Sequence, residues 1–343
     1  MKKVLILTSY SHNAAANNLK TEILNYNDVF VLDIVDFFNK NAFHSDKSKY
    51  FYEDFCEKYK KVWEVTFNIF DDLKIKRLLY AFRYPFLQEK FDKYLLDNNF
   101  DVVISVFPFW QMFLKHYIKH NKRTFKIVFI TDSIKIHSIW YLDMIDKYFF
   151  IDDFSKTEFI KKFNHTKDNL ITSFFPLKRD LFVDKKEIKI KNIVFLLTGQ
   201  EYNFSKDFLE KIYNLDYNIF ILKRNNEVFL KLKEEVKNIE NIKFYDFFDI
   251  KQNLKNIDLI ISKPGAIISE SISNDIPFII TNYIPGQEEN KEMIDRYELF
   301  YEKEVEKLIF NIKYLDFNKM LSNFQKVKKS NSIQIILENL DLL

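Results

Sequence analysis

Glycine is almost missing from this sequence, with three in 343 residues, against the ~7% usual for folded proteins. Lysine, asparagine, isoleucine, phenylalanine and tyrosine are abundant instead, as a nucleotide bias in the source genome would produce. In such a chain, a glycine that survives is expected to stand where no other residue fits. The single cysteine, Cys56, excludes an intramolecular disulfide framework and cysteine-based zinc sites, and it suits a reducing compartment. A formal net charge of +3 is too small to argue for nucleic acid, but it leaves room for basic patches beside anionic lipid. Long hydrophobic runs are absent too. Val4–Leu7 is too short for a signal-peptide core and ends in Thr-Ser. Val102–Leu114 is interrupted by Gln111 and is too short to span a bilayer. The expectation is a cytoplasmic protein, not integral to a membrane but free to lie on one.

What is present reads as an α/β protein. Short continuous apolar runs at Val4–Leu7, Val29–Leu32, Val102–Val106, Ile127–Ile130 and Tyr148–Ile151 have the pattern of buried parallel strands. A second set follows at Ile193–Leu197, Ile219–Leu222, Ile242–Tyr245, Leu259–Ile261 and Phe278–Ile280. Helical stretches lie between many of them, such as Asn226–Val236, where Phe229, Leu232 and Val236 share a face. Strand–helix alternation repeated twice predicts two doubly wound, Rossmann-like domains facing across a cleft. The junction is expected near Phe175-Pro176-Leu177-Lys178, giving a first domain over 1–177 and a second over 178–343, whose last helix is able to pack back on the first.

The chemistry concentrates in 258–290. A buried strand runs from Asp258 into Lys263-Pro264-Gly265, and a helix then starts with Ser269 and Glu270 in its first turns. Exposed amides at a helix start favour phosphate, and a carboxylate just inside the helix can accept from ribose hydroxyls. An ordinary strand–turn–helix connection would look the same. The next strand ends in a polar loop, Asn282–Asn290, which includes Gly286-Gln287-Glu288. A Gln-Glu pair there can bond sugar hydroxyls.

These two segments resemble the donor-binding half of the monogalactosyldiacylglycerol synthase and processive diacylglycerol glucosyltransferase family, a distant relative of the peptidoglycan N-acetylglucosaminyltransferase. Lys263, Pro264, Gly265 and Glu270, with Pro285, Gly286, Gln287 and Glu288, match its pattern. Lys223-Arg224-Asn225-Asn226 and Asp246-Phe247 resemble two further turns of that half, and Gly199 remains from a glycine-rich one. The likeness continues upstream through Thr131-Asp132, His137, Trp140 and Asp146-Lys-Tyr-Phe149, through Val103–Pro108, and through Thr8–Ala16 with His12. It implies a GT-B fold and a UDP-sugar donor, with no metal and no cofactor.

By the same resemblance, Gly199, Arg224, Asn225, Phe247, Lys263, Gly265, Ser269, Glu270, Gly286, Gln287 and Glu288 would hold the donor. His12 would take the proton from the acceptor hydroxyl, as an imidazole is suited to do, and Asp132 and His137 would position His12 or the acceptor. A surface histidine near a helix start is the plainer reading of His12. The segment Tyr50–Leu96 mixes aromatics such as Trp63 and Phe67 with Lys60, Lys61, Arg77 and Arg83. That pattern suits either helices packed on the sheet or an interfacial element on anionic lipid. A lipid acceptor implies the second, with Trp63, Phe107, Pro108 and Trp140 on the acceptor and membrane side and Phe109 and Trp110 near an acyl entrance.

The resulting expectation is an inverting hexosyltransferase moving glucose or galactose from a UDP-sugar to diacylglycerol or a related lipid. It would work peripherally on the inner face of the cell membrane. The alternatives are a polyprenyl-linked or soluble acceptor, or a non-catalytic member that binds sugar nucleotide.

Overall fold

A computed structural model describes residues 1–9, 13–41, 85–131, 137–177, 189–196, 202–212, 216–222, 226–245, 256–264, 267–281, 294–299, 301–302, 312 and 315–343. The chain divides into two compact domains. Met1–Arg179 with Lys329–Leu343 forms the first, and Asp180–Lys328 the second.

The first domain is built on a six-stranded parallel sheet. Its strands are β1 (Lys3–Thr8), β2 (Asp28–Asp33), β3 (Val102–Ser105), β4 (Lys126–Ile130), β5 (Lys147–Phe150) and β6 (Leu170–Thr172), in the order β2-β1-β3-β4-β5-β6. Helices α1 (Asn13–Ile23), α2 (Ile34–Asn41), α3 (Pro85–Asn98), α4 (Trp110–His120) and α5 (Asp153–Phe163) lie along the chain between them. Val4, Leu5, Ile6 and Leu7 have no exposed surface. Both faces of the strand are covered, which is why the sequence there is uniformly apolar rather than alternating. Strand order reverses between β1 and β3, because β1 leads outward to β2 whereas β3 leads the other way to β4.

The second domain repeats the plan. Strands β7 (Asn192–Leu196), β8 (Asn218–Leu222), β9 (Ile242–Tyr245), β10 (Leu259–Ser262), β11 (Phe278–Ile280) and β12 (Tyr301–Glu302) are ordered β12-β11-β10-β7-β8-β9, all parallel. Helices α6 (Tyr202–Ile212), α7 (Asn226–Glu235), α8 (Ile267–Ser273) and α9 (Phe317–Phe324) belong to it.

The final helix, α10 (Ser332–Asn339), is part of the first domain. The residues after it are tied to β1 and its surroundings. Lys2 Nζ donates to Asp341 O at 2.7 Å, Asn27 Nδ2 donates to Leu342 O at 2.7 Å, and Lys126 Nζ pairs with Asp341 at 3.0 Å.

Positions that ordinarily favour glycine are filled otherwise. Asn99, Asn164, Asp275 and Asp341 all have positive φ, near 50°. Asn164 caps α5 in the left-handed conformation, a place glycine usually takes. Asn and Asp bear that conformation better than other side chains do.

Two residues of the Asp-x-Tyr element act as braces. Asp146 accepts from Ile127 N at 2.6 Å and from both terminal nitrogens of Arg123, at 2.9 and 3.0 Å. The Tyr148 hydroxyl donates to Leu142 O at 2.7 Å and accepts from Leu142 N at 2.9 Å, all of it buried. Tyr148→Phe strands both backbone groups and is expected to cost about 1–3 kcal/mol. Thermal unfolding would show this, and an unchanged midpoint would mean the two bonds contribute nothing net.

Candidate functional site

In open α/β sheets, ligands bind beyond the carboxyl ends of the strands, at the point where strand order reverses. In the first domain that point lies between β1 and β3. Buried polar residues stand at or just beyond the strand ends: Thr8 and Ser9 at β1, Ser105 at β3, Thr131 at β4, Asp152 at β5 and Ser173 at β6. Val106 N donates to Leu7 O at 3.0 Å. Trp110 Nε1 donates to Thr8 O at 2.8 Å and closes the same junction from α4. The turn after β3 is held by Ser105 Oγ, which donates to Phe107 O at 2.8 Å. Phe107 and Phe109 stack with centroids 5.4 Å apart. Both rings and Pro108 are half-buried, so each keeps some surface at this edge.

His12 and Asp132 lie outside the described residues, as does Trp63. His12 stands in sequence between β1 and α1, on the loop that leaves the switch point. His137 is 5% exposed, and its Nδ1 accepts from Ile139 N at 3.2 Å, capping the 3-10 turn Ser138–Trp140. That bond places the proton of the neutral ring on Nε2.

Two aromatic assignments need correction. Trp140, expected on the acceptor and membrane side, is 3% exposed and packs edge-on to Phe129 in the core. Trp110, expected near an acyl entrance, has no exposed surface and stacks on Phe91 at 5.3 Å. Neither ring presents a face to a lipid. Their part is to fix the turn bearing His137 and the start of α4.

In the second domain, Lys263 follows β10 and is 4% exposed. Ser269 is buried and Glu270 half-buried in α8. The Ser269 carbonyl accepts from Ser273 Oγ at 2.6 Å, and the Glu270 carbonyl from Asn274 Nδ2 at 2.7 Å, so these main-chain groups are tied within the helix and its end. Gly199, Arg224, Asn225, Phe247, Gly265, Gly286, Gln287 and Glu288 lie outside the described residues. Their places in sequence are still informative. Gly199 comes after β7, Arg224 and Asn225 after β8, Phe247 after β9, Gly265 after β10, and Gly286 to Glu288 after β11. Because the strands are parallel, all of these connections leave the same edge of one sheet. Among the described residues no cluster of His, Cys, Asp and Glu is arranged to hold a metal, and no helix is long and apolar enough to cross a membrane.

The sequence has relatives throughout its length. A processive diacylglycerol beta-glucosyltransferase of Bacillus licheniformis is 22% identical over 99% of this chain and 94% of its own. Its Bacillus subtilis counterpart is 21% identical with the same coverage of both. Among solved structures, MurG of Acinetobacter baumannii superposes with a TM-score of 0.61 at 10% identity, covering 100% of both chains. The UDP-GlcNAc 2-epimerase of Neisseria meningitidis gives 0.61 at 12% identity, covering 98% of this chain and 99% of that one. These likenesses make the fold GT-B. The model of the monogalactosyldiacylglycerol (MGDG) synthase family matches residues 12–176, the stretch carrying the switch-point loops.

Proposed function

We propose that the protein is an inverting glycosyltransferase that moves a hexose from a UDP-sugar to diacylglycerol or a closely related membrane lipid. The names of its relatives support the reaction class and the lipid. The observation that carries the donor is the placement of the only three glycines, Gly199, Gly265 and Gly286. They follow β7, β10 and β11, which are three adjacent strands of one sheet. Among the described residues a positive φ is met without glycine, at Asn99, Asn164, Asp275 and Asp341 and also at Phe174 and Glu298, so backbone freedom alone does not retain glycine here. Absence of a side chain does, and it is needed where a ligand lies against the main chain.

In this reading the turn at Gly265 receives the diphosphate, Glu270 the ribose, and Gln287 with Glu288 the sugar. Arg224, Asn225 and Phe247 complete the nucleotide side. The acceptor oxygen attacks the anomeric carbon as its bond to the phosphate oxygen breaks. His12 takes the acceptor proton and UDP leaves with the electron pair. UDP-sugar is the donor substrate, and no metal or cofactor takes part. The enzyme works from the cytoplasm on the anionic inner face of the membrane.

The test is to incubate purified protein with diacylglycerol vesicles and UDP-glucose and UDP-galactose together, then analyse the lipids by mass spectrometry. Hexosyl-diacylglycerol is expected. UDP binding without any glycolipid would favour a non-catalytic protein. Gly286→Ala is expected to raise KM for the sugar nucleotide by about tenfold or more, or about 1.4 kcal/mol. Gly286→Asn should be worse than alanine, because it is bulkier. If asparagine restored wild-type KM, the glycine would be there for φ alone and the close-approach reading would fail.

A further inference from the structure

We propose that His116 and His120 form a site for a divalent transition metal such as zinc, with Asp92 as its outer-shell carboxylate, and that the ion fastens α3 to α4. The inference is independent of the transferase reading. The two histidines stand four residues apart on α4, so they share one face of the helix. Their ring centroids are 4.3 Å apart, with 32° between the planes. That spacing lets one ion bond to both rings, as histidines at i and i+4 do in helical zinc sites. His120 is exposed and His116 is 21% exposed, so the pair opens on solvent.

The ring of His116 is oriented from behind. Asp92 Oδ2, on α3, lies 3.4 Å from its Nδ1, which is buried. Gln88 Nε2 donates to Asp92 Oδ1 at 2.6 Å and to Phe113 O at 3.1 Å, so the carboxylate is braced from both helices. A carboxylate at Nδ1 keeps the ring proton there and puts the lone pair on Nε2. This is the outer shell that metal-binding histidines ordinarily carry. A cation on Nε2 would make Nδ1–H a stronger donor to Asp92, so an ion bound on α4 also tightens α4 against α3.

The surroundings select the kind of ion. Lys115 and Lys119 flank the pair in sequence, and the carboxylate beside it is Asp92. Calcium and magnesium need several oxygen ligands, which these groups do not supply. Neutral imidazole suits zinc, copper and nickel. The carboxyl end of α4 adds a favourable dipole for a cation. Among the described residues no group of three or more His, Cys, Asp or Glu is arranged to hold a metal, so two imidazoles bind here and water completes the shell. Half the ligands of a structural zinc site predict micromolar rather than nanomolar affinity. His120 lies ten residues beyond Trp110, about 15 Å along the helix from the switch point. The ion therefore has a structural part and none in transfer.

The test is to titrate zinc into the full chain by calorimetry and to measure melting temperature with and without it. Wild type should bind zinc in the micromolar range, and His116→Gln or His120→Gln should weaken that binding by about tenfold or more. Asp92→Asn should weaken it by about 10–100-fold. Saturating zinc should raise the wild-type melting temperature by roughly 5 °C, EDTA should reverse the rise, and His120→Gln should abolish it. His120 is exposed, so its substitution tests the site even where His116→Gln disturbs folding. Equal zinc affinity in wild type and both histidine variants would place the ion elsewhere and overturn the proposal. Saturation at millimolar zinc only would also overturn it, as adventitious binding. Unchanged affinity in Asp92→Asn would overturn the part given to the carboxylate.

Discussion

His12→Ala is expected to lower the rate of transfer to diacylglycerol by about 10²–10⁴-fold, the range a positioned general base supplies. In the proposed reaction, inversion at the anomeric carbon is a single displacement, so the acceptor proton would leave as the new C–O bond forms. Of the histidines named as candidates, only His12 stands on the loop that leaves β1 at the reversal of strand order. His137 is placed differently, because its Nδ1 is committed to Ile139 N. UDP affinity should be unaffected by the substitution, since the residues proposed to hold the donor belong to the second domain. Initial rates at saturating UDP-glucose, set beside UDP binding by calorimetry, check both halves. Unchanged turnover would remove His12 as the base, and a parallel loss of UDP binding would point to misfolding.

The largest effect on stability is expected at Asp275. Its carboxylate pairs with Lys328 Nζ at 3.0 Å, and the two side chains are only 5% and 6% exposed. Gln325 Nε2 donates to the other oxygen at 3.0 Å. The pair fastens the end of α9 to the turn between α8 and β11. Removing one partner leaves the other charge buried, at about 3–5 kcal/mol. Asp275 also has a φ of 50°, so Asp275→Ala adds backbone strain. Asp275→Gly removes that strain and isolates the ionic contribution. Asp275→Asn with Lys328→Met should recover most of the loss, because no charge then stays buried alone. Urea midpoints for the set decide the matter. Equal midpoints for Asp275→Gly and wild type would show that the pair contributes nothing net.

The fold was legible wherever a strand is covered on both faces. Ile193, Val194 and Phe195 have no exposed surface, and their apolar run identifies β7 without help from any motif. Strands β6 and β12 escaped that reading for a physical reason. They have three and two residues and lie at sheet edges, where no continuous apolar run is required. The stretch Val102–Leu114 reads as one apolar segment but divides into β3, a turn at Pro108 and α4. Both faces of the strand and one face of the helix are buried, which erases the period that would have marked the change.

Less of the site was legible from physics alone. The loops after β10 and β11 were found by the spacing of Lys263, Gly265, Glu270 and Gly286–Glu288, since loops carry no periodicity. Trp140 and Trp110 show the limit of that approach. A tryptophan in a motif serves packing or contact, and burial distinguishes the two only after the chain is folded. Gln111 was visible as a polar break in an apolar run, but that neither of its amide atoms finds a partner among the described residues is a property of three dimensions.

The return of residues 329–343 to the first domain bears on how the protein is made. Once Arg179 has been made, about 150 further residues are synthesised before Asp341 and Leu342, the hydrogen-bond partners of Lys2 and Asn27, can follow. At ~5–20 residues per second, that leaves the amino-terminal half incomplete for roughly ten to thirty seconds on the ribosome, with α1 lacking the helix that covers it. Nascent chains stalled before residue 329 should be sensitive to protease in their earliest-made segment. A tag fused at Leu343 would be felt first around Lys2 and Asn27.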